Sequence, residues 1–278
     1  MDQALTLKRG TLEAELKRLG RLIVAYSGGV DSAFLAYAAH QALGGEMLAI
    51  IADSPSLARN QYEDALRFAE EQRIPLRVIE TAELDNPEYA RNDARRCFHC
   101  KQELFTVLDQ IRVREGYSAV AYGKNTDDIG DFRPGGQAAE LHGVAAPLAD
   151  AGISKAEVRE LARIAGLRVW DKPASACLAS RIEYGREVTR EALQAVEKAE
   201  DALRHLGFRQ FRVRHHGEIA RIEIAREEMA GVFRDGVASQ IARDVKKAGF
   251  QFVALDLEGY RSGSMNTLLA AESLVIKR

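Results

Sequence analysis

The sequence is poor in cysteine. It has three in 278 residues, an odd and sparse set. That argues against a disulfide framework and points to metal or catalytic roles, beside the plain alternative that cysteines are small buried residues. Long apolar runs are also missing. The longest strictly apolar stretch, Ala33 to Ala39, falls far short of the ~18 residues that suggest a membrane span. The first twenty residues carry acids and bases throughout and no apolar signal core, which predicts a cytoplasmic protein. Charge of one sign is absent as well. A net charge of −2 gives no bulk electrostatic case for nucleic acid or an anionic membrane, although a local basic site stays open. No internal repeat or low-complexity segment is present. What remains, 46% hydrophobic and 29% charged, is an ordinary globular composition, long enough for one large domain or two smaller ones.

Apolar runs and helical periodicity alternate along the first two thirds. Strands are expected at Leu22 to Tyr26, Met47 to Ala52, Leu76 to Thr81 and Ala119 to Tyr122, with a fifth at Leu167 to Trp170. Helices are expected at Thr11 to Gly20, Ala33 to Leu43, Ser56 to Gln72 and Arg96 to Glu115, and after the capping-box match Ser154-Lys-Ala-Glu157. Strands alternating with helices predict an α/β fold with a doubly wound, mostly parallel sheet. Beyond Arg181 the order changes to α-β-β-α-β: helix Thr189 to Leu206, strands Phe211 to Arg214 and Ala220 to Ala225, a helical region Glu227 to Ala248, and strand Phe252 to Leu257. This predicts a smaller C-terminal α+β domain. The expected domains are 1–180 and 181–278, with the junction inside 175–190. His215 and His216 are expected in the hairpin turn, Trp170 in the core, and Glu200 and Glu223 on solvated faces.

The unusual segments follow directly after proposed strands: SGGVDS (Ser27 to Ser32), ADSPS (Ala52 to Ser56), GKNTDD (Gly123 to Asp128) and DKPASAC (Asp171 to Cys177). Ligands of such sheets sit at the carboxyl ends of the strands, so these segments are expected at one edge. In SGGVDS, Gly28 and Gly29 let backbone N–H groups approach phosphate oxygens, the following helix adds partial positive charge, and Ser27 and Ser32 bring hydroxyls. The G-x-x-x-x-G-K-[ST] pattern is absent, so this is not a Walker A loop. Asp53 and Ser54 end the second strand, where a base or ribose rests. Gly123 opens the fourth-strand loop, whose Asp127 and Asp128 suit a magnesium or ribose contact, or else cap a turn. Lys101 and Lys172 are candidates for ATP phosphates, with solvated lysine as the bland alternative. Arg181, Arg212 and Arg214 are candidates to bind a substrate phosphate and to lower a thiol pKa; Arg212 and Arg214 share one strand face.

SGGVDS resembles the PP-loop of the N-type ATP pyrophosphatases, which share an adenine-nucleotide alpha-hydrolase-like fold. The resemblance implies that ATP is cleaved between its α and β phosphates, with Gly28, Gly29 and Ser32 on pyrophosphate and Asp31 serving magnesium or loop order. ADSPS, RCFHCK (Arg96 to Lys101), NTDDIGDFRPG (Asn125 to Gly135), PASACLASR (Pro173 to Arg181) and RVRHHG (Arg212 to Gly217) narrow it. Together they are similar to the LarE family, from about Leu12 to Leu257. That resemblance implies an ATP-dependent sulfur transferase acting on pyridinium-3,5-biscarboxylic acid mononucleotide, in the biosynthesis of the nickel-pincer nucleotide cofactor of lactate racemase. A carboxylate would be adenylated, sulfur would displace AMP, and a thiocarboxylate would form. It further implies a small-molecule nucleotide substrate, Mg2+ with the ATP, a homo-oligomer, and Glu200 and Glu223 near the substrate site, the alternative to the solvated faces expected of helix and strand glutamates.

Two sulfur sources follow from the resemblance. Cys177 is the sacrificial donor of the single-use version, left as dehydroalanine. Alternatively Cys97, Cys100 and Cys177 hold three irons of a [4Fe–4S] cluster whose open iron carries the sulfide; the three-cysteine constellation and the odd count favour this one. A structural role for Cys97 and Cys100 at a helix start, or a zinc site completed by His99, is the remaining option. Rival functions are another PP-loop enzyme, a tRNA thiolase or an ammonia-dependent synthetase, and a non-enzymatic nucleotide- or iron–sulfur-binding regulator.

Overall fold

The computed structural model describes residues 2–129, 134–173 and 176–261. Parts of two segments singled out above, 130–133 and 174–175, lie outside the described residues. The chain divides into two compact units: 1–83 with 97–175, and 84–96 with 176–278.

The first unit contains β1 (Leu22–Ala25), β2 (Met47–Asp53), β3 (Leu76–Glu80) and β4 (Ala119–Tyr122) in one sheet of order β3-β2-β1-β4. Every neighbouring pair is parallel. Its longer helices are α1 (Gln3–Leu19), α2 (Val30–Leu43), α3 (Arg59–Glu71), α5 (Arg96–Glu115, whose first residue groups with the second unit), α6 (Pro134–Leu141) and α8 (Lys155–Ile164); α7 (Pro147–Asp150) is a single turn. Successive strand residues point to opposite faces. Leu22 and Val24 join a core with α1, α2, α3 and α8, whereas Ile23 and Ala25 join one with α5 and α6. Both faces are therefore covered, which is why the strands read as continuous apolar runs. The α2 helix is buried nearly all round, from Ala33 and Phe34 to Ala39. The capping box expected at Ser154 forms: its side chain accepts from Glu157 N and Glu157 accepts from Ser154 N.

No strand forms at Leu167 to Trp170. Leu167 and Val169 are buried and Arg168 and Trp170 point outward, which imitates a strand. The backbone instead turns, with Trp170 N donating to Leu167 O and Lys172 N to Val169 O. Trp170 is 41% exposed rather than in the core, and its carbonyl accepts from Arg159.

The second unit has α4 (Pro87–Ala90), α9 (Arg190–His205), α10 (Arg226–Met229) and α11 (Val237–Lys247), with β5 (Phe211–His216), β6 (Ile219–Ile224) and β7 (Phe252–Leu255). β5 and β6 are antiparallel, β6 and β7 parallel. His215 and His216 belong to β5, not to the turn, because the left-handed position that reverses the chain is Gly217, at φ 69°. The helical region expected at Glu227 to Ala248 forms as separate pieces, α10 and α11, because Gly236, at φ 75°, caps a new helix.

Candidate active site

In the first unit the site is built on the glycine loop between β1 and α2. Gly28 has φ 73°, and a Cβ there would fall 2.6 Å from Ala65 Cβ of α3, so only glycine fits. Ser32 folds the loop on itself. Its Oγ donates to Gly29 O (3.1 Å), accepts from Ser27 N (3.1 Å) and lies 3.0 Å from Ser27 Oγ. Lys172 Nζ donates to Gly28 O (3.1 Å) and to Asp64 Oδ2 (2.7 Å). Burial alone would raise the pKa of Asp64, but hydrogen bonds from Lys172 and Arg168 outweigh it and hold the carboxyl below its ordinary value. Burial, and then the Asp64 charge, push the phenol of Tyr26 up; its hydroxyl donates to Ala65 O.

The fourth-strand loop approaches this loop closely. A Cβ on Gly123 would lie 2.7 Å from Ser32 N and 3.0 Å from the carbonyl carbon of Asp31. Asn125 Nδ2 donates to Asp31 Oδ1 (3.3 Å), and Lys155 Nζ pairs with Asp31 Oδ2. Lys155 was not foreseen. The signal was available, since it is the first residue of a capping-box helix, but a single lysine there reads as solvated. Asp127 and Asp128 have capping roles. Asp128 Oδ2 accepts from Asn125 N (3.1 Å) in a capping box, and Asp127 Oδ2 from Lys155 N (3.3 Å).

At the end of β2, Asp53 pairs with Arg59 (2.6 Å), whose guanidinium stands 4.7 Å from the Tyr62 ring centre. Ser54 donates to Glu83 and accepts from Ser56 N (3.0 Å). Glu83 is buried and also accepts from Thr81 Oγ1. Lys101 lies on α5 with its Nζ 6.0 Å from the Phe105 ring centre. Cys97 and Cys100 occupy the first turns of α5, exposed and half-buried, and neither is in a disulfide; residues three apart share a helix face. The ring of His99 packs edge-on to Phe98.

In the second unit Cys177 is free and exposed, and caps the 3-10 turn Leu178–Arg181 in extended conformation. Its carbonyl accepts from Ser180 N, Ser180 Oγ and Arg181 Nη1. Arg181, 1% exposed, also donates to Ala176 O (2.6 Å), and its Nε meets Glu200 Oε1 at 2.9 Å. Glu200 in turn accepts from Val213 N. Arg214 pairs with Glu223 Oε2 (2.8 and 3.0 Å) and donates to Ser180 O (3.2 Å). Glu200 and Glu223, expected on solvated faces, are 4% and 0% exposed; the buried arginines explain it, since a buried charge requires a partner. Arg212 is less enclosed than Arg181 and Arg214 and stands 5.1 Å from the Tyr260 ring centre. Burial, and then the Arg181 charge, lower the pKa of Arg212 from its ordinary value, so the surroundings of this guanidinium favour an anion.

The structure thus gathers Ser27, Gly28, Gly29, Asp31, Ser32, Gly123, Asp127, Asp128 and Lys172 around one loop of the first unit. It gathers Cys177, Arg181, Arg212 and Arg214 around one turn of the second. Among the described residues no group of three or more His, Cys, Asp or Glu is gathered as a metal ion requires. The donor chemistry of Cys97, Cys100 and Cys177 suits an iron–sulfur cluster, but a gathered ligand set is not seen among the described residues. Among the described residues no helix is long and apolar enough to cross a membrane.

The NAD synthase family model matches residues 10–103, the stretch that carries β1, the glycine loop, β2 and β3. An uncharacterised protein of Synechocystis is 44% identical over 251 residues, 90% of this chain and 94% of its own. The pyridinium-3,5-bisthiocarboxylic acid mononucleotide synthase of Lactiplantibacillus plantarum is 35% identical over 273 residues, 97% of this chain and 98% of its own. One chain of the glutamine-hydrolysing GMP synthase of Methanococcus vannielii is 27% identical over 166 residues, 53% of this chain and 50% of its own. Similarity over almost the full length of the pyridinium mononucleotide synthase, together with the closed glycine loop and the anchored cysteine turn, is decisive: the chain belongs to the LarE family of PP-loop ATP pyrophosphatases, a family of ATP-dependent enzymes.

Proposed function

We propose that this protein uses ATP to adenylate a carboxylate of pyridinium-3,5-biscarboxylic acid mononucleotide and converts it to a thiocarboxylate, on the route to a nickel-pincer nucleotide. The observation that carries the reading is the pairing of two sites in one chain. One is a PP-loop with no room for a side chain at Gly28, and the other is an exposed cysteine whose backbone is held by buried arginine. A carboxylate accepts a nucleophile poorly until a good leaving group is attached, and a thiol is the natural nucleophile to follow.

In this reading Gly28, Gly29, Ser27 and Ser32 hold the pyrophosphate at the start of α2, with Lys172 and Lys155 beside the loop. Asp31, held by Lys155 and Asn125, faces the magnesium that accompanies ATP, and Asp127 and Asp128 fix the loop around it. The end of β2 at Asp53 and Ser54 receives the base or ribose, with Gly123 as the close wall between strands; Lys101 meets phosphate. Arg212, with Arg214 and Arg181 behind it, binds the phosphate of the substrate nucleotide, which would relieve the charge crowding at Arg212. Cys177 delivers sulfur: its thiolate attacks the acyl adenylate and AMP departs, and then loss of the Cys177 Cα proton to a base, with cleavage of the Cβ–S bond, leaves the thiocarboxylate and a dehydroalanine.

A second reading is favoured by the C-x-x-C spacing. It sets Cys97 and Cys100 on one helix face, and with Cys177 they would hold a [4Fe–4S] cluster able to supply sulfide. The protein is proposed to act in the cytoplasm as a homo-oligomer.

Pyrophosphate release should be stimulated by the pyridinium dicarboxylate nucleotide, and not by tRNA or by ammonia with a carboxylate acceptor; the opposite pattern assigns a different PP-loop activity. Anaerobic purification with iron and sulfide analysis, followed by intact mass after turnover, separates the sulfur sources. Loss of one hydrogen sulfide without iron means sacrifice of Cys177. Iron that disappears in Cys97→Ala, with unchanged protein mass, means the cluster.

A further inference from the structure

Arg96 immediately precedes the first cysteine, yet its side chain serves the last one. It is 3% exposed and groups with the second unit. Its Nη1 donates to Ala179 O at 2.9 Å and to Asn92 Oδ1, and its guanidinium carbon lies 5.4 Å from the Tyr184 ring centre. Asn92 is fully buried and left-handed, at φ 58°, a conformation asparagine tolerates better than most side chains. Its Nδ2 donates to Glu183 O and Arg186 O, both at 2.8 Å, with Ile182 O at 3.3 Å. Two amide hydrogens suffice for the two short bonds. The backbone adds Gly185 N to Asn92 O (3.0 Å) and Val188 N to Ala90 O (2.8 Å).

Ala179 is the second residue of the turn that Cys177 caps. Leu178 buries its side chain, but the other uncharged side chains of the segment, Ala176, Ala179 and Ser180, are small and offer little surface for packing. The backbone is therefore held as well: Arg181 grips the carbonyls of Ala176 and Cys177, and Arg96 grips that of Ala179. Burying a guanidinium costs several kcal/mol. Two of them on one short turn make sense where the position of a reacting group matters more than stability.

We propose that Arg96, locked by Asn92, is a positioning residue for Cys177: it fixes the 178–181 turn so that the thiol is presented in one place. The role in sulfur transfer rests on the function proposed above, whereas the positioning of the turn stands without it.

The test compares the full-length chain with Arg96→Met, Arg96→Lys, Asn92→Gly and Asn92→Asp in two measurements. The first is the ratio of single-turnover thiocarboxylate formation to pyrophosphate release. In Arg96→Met transfer should fall about a hundredfold while release changes by less than about twofold, and Arg96→Lys should recover part of the loss. A merely structural role would lower both steps together with the folded fraction. The second is hydrogen exchange at the amides of Ser180 and Ile182, which donate to Cys177 O and Ala179 O. Their protection should drop about tenfold or more in Arg96→Met and Asn92→Gly, with α9 unchanged. A folded Arg96→Met protein with parental exchange at these amides and a parental transfer-to-release ratio overturns the proposal. Should Arg96→Met fail to fold, Asn92→Gly, which removes the carboxamide and suits a positive φ, decides on the same readouts. If the parent itself transfers no sulfur, the substrate reading fails, and the exchange data alone still decide whether Arg96 positions the turn.

Discussion

Gly28 and Gly29 look equivalent in the sequence, but only one is sterically obligatory. Gly28 is left-handed and faces Ala65, whereas a Cβ on Gly29 would meet only Ser27 Oγ at 3.6 Å. Gly28→Ala should therefore cost about 2 kcal/mol or more and Gly29→Ala about 1 kcal/mol or less, the loss of a preferred capping residue, in urea unfolding. Gly123→Ala should weaken binding of inorganic pyrophosphate about tenfold or more, because its new methyl displaces Ser32 N from the loop; calorimetry measures it, with circular dichroism to confirm retained structure. Glu200→Ala should destabilise by about 3–5 kcal/mol by leaving the Arg181 charge buried without its carboxylate, again read from urea unfolding. At this scale the sequence identified the residue types of the loop and the cysteine turn. It left Glu200 and Glu223 between a solvated face and the substrate site and passed over Lys155, because whether a charge is solvated or paired across the fold depends on residues far away along the chain.

The elements of the first unit were legible because two of their signals are local. β1 and β4 were apolar without interruption, and the start of α8 carried its capping box at Ser154. Ser154→Ala removes one such cap and should cost about 1 kcal/mol, and it should also loosen the Lys155 pairing with Asp31 one residue on. The join between β3 and α5 has a pH signature. Arg77 first, then Arg114, hold the carboxyl of Glu115 down at about 2, from an ordinary 4.5. A depressed carboxyl stabilises the fold above its unfolded value and loses that contribution as pH falls from about 4.5 towards 2. Glu115→Gln should flatten this acid limb of the stability curve, and added salt should shrink the difference, since the pair is exposed. The false strand at Leu167 to Trp170 has the same origin as the true ones. Apolar residues at alternate positions permit a strand but say nothing about whether a neighbour offers free backbone groups.

At the scale of the whole molecule, the change of grammar near residue 180 was readable, but the return of residues 84–96 to the second unit was not. Nothing local marks Asn92 as a partner of carbonyls ninety residues later. A fragment of 176–278 alone lacks the carboxamide and guanidinium that close the 179–188 segment, so it should remain largely unfolded by circular dichroism and amide dispersion. Supplying 84–96 as a fused segment should restore order.

The divided second unit also sets a timetable for synthesis. Residues 84–96 leave the ribosome roughly eighty residues ahead of the turn they will enclose, which at about 5–20 residues per second is a wait of roughly 4–16 s. Throughout that interval Asn92 and Arg96 have only water or a chaperone to bond, while the β1–β4 sheet gathers on either side of them in the chain. The order of synthesis thus places the glycine loop and the β1–β4 strands in the chain before the cysteine turn is made.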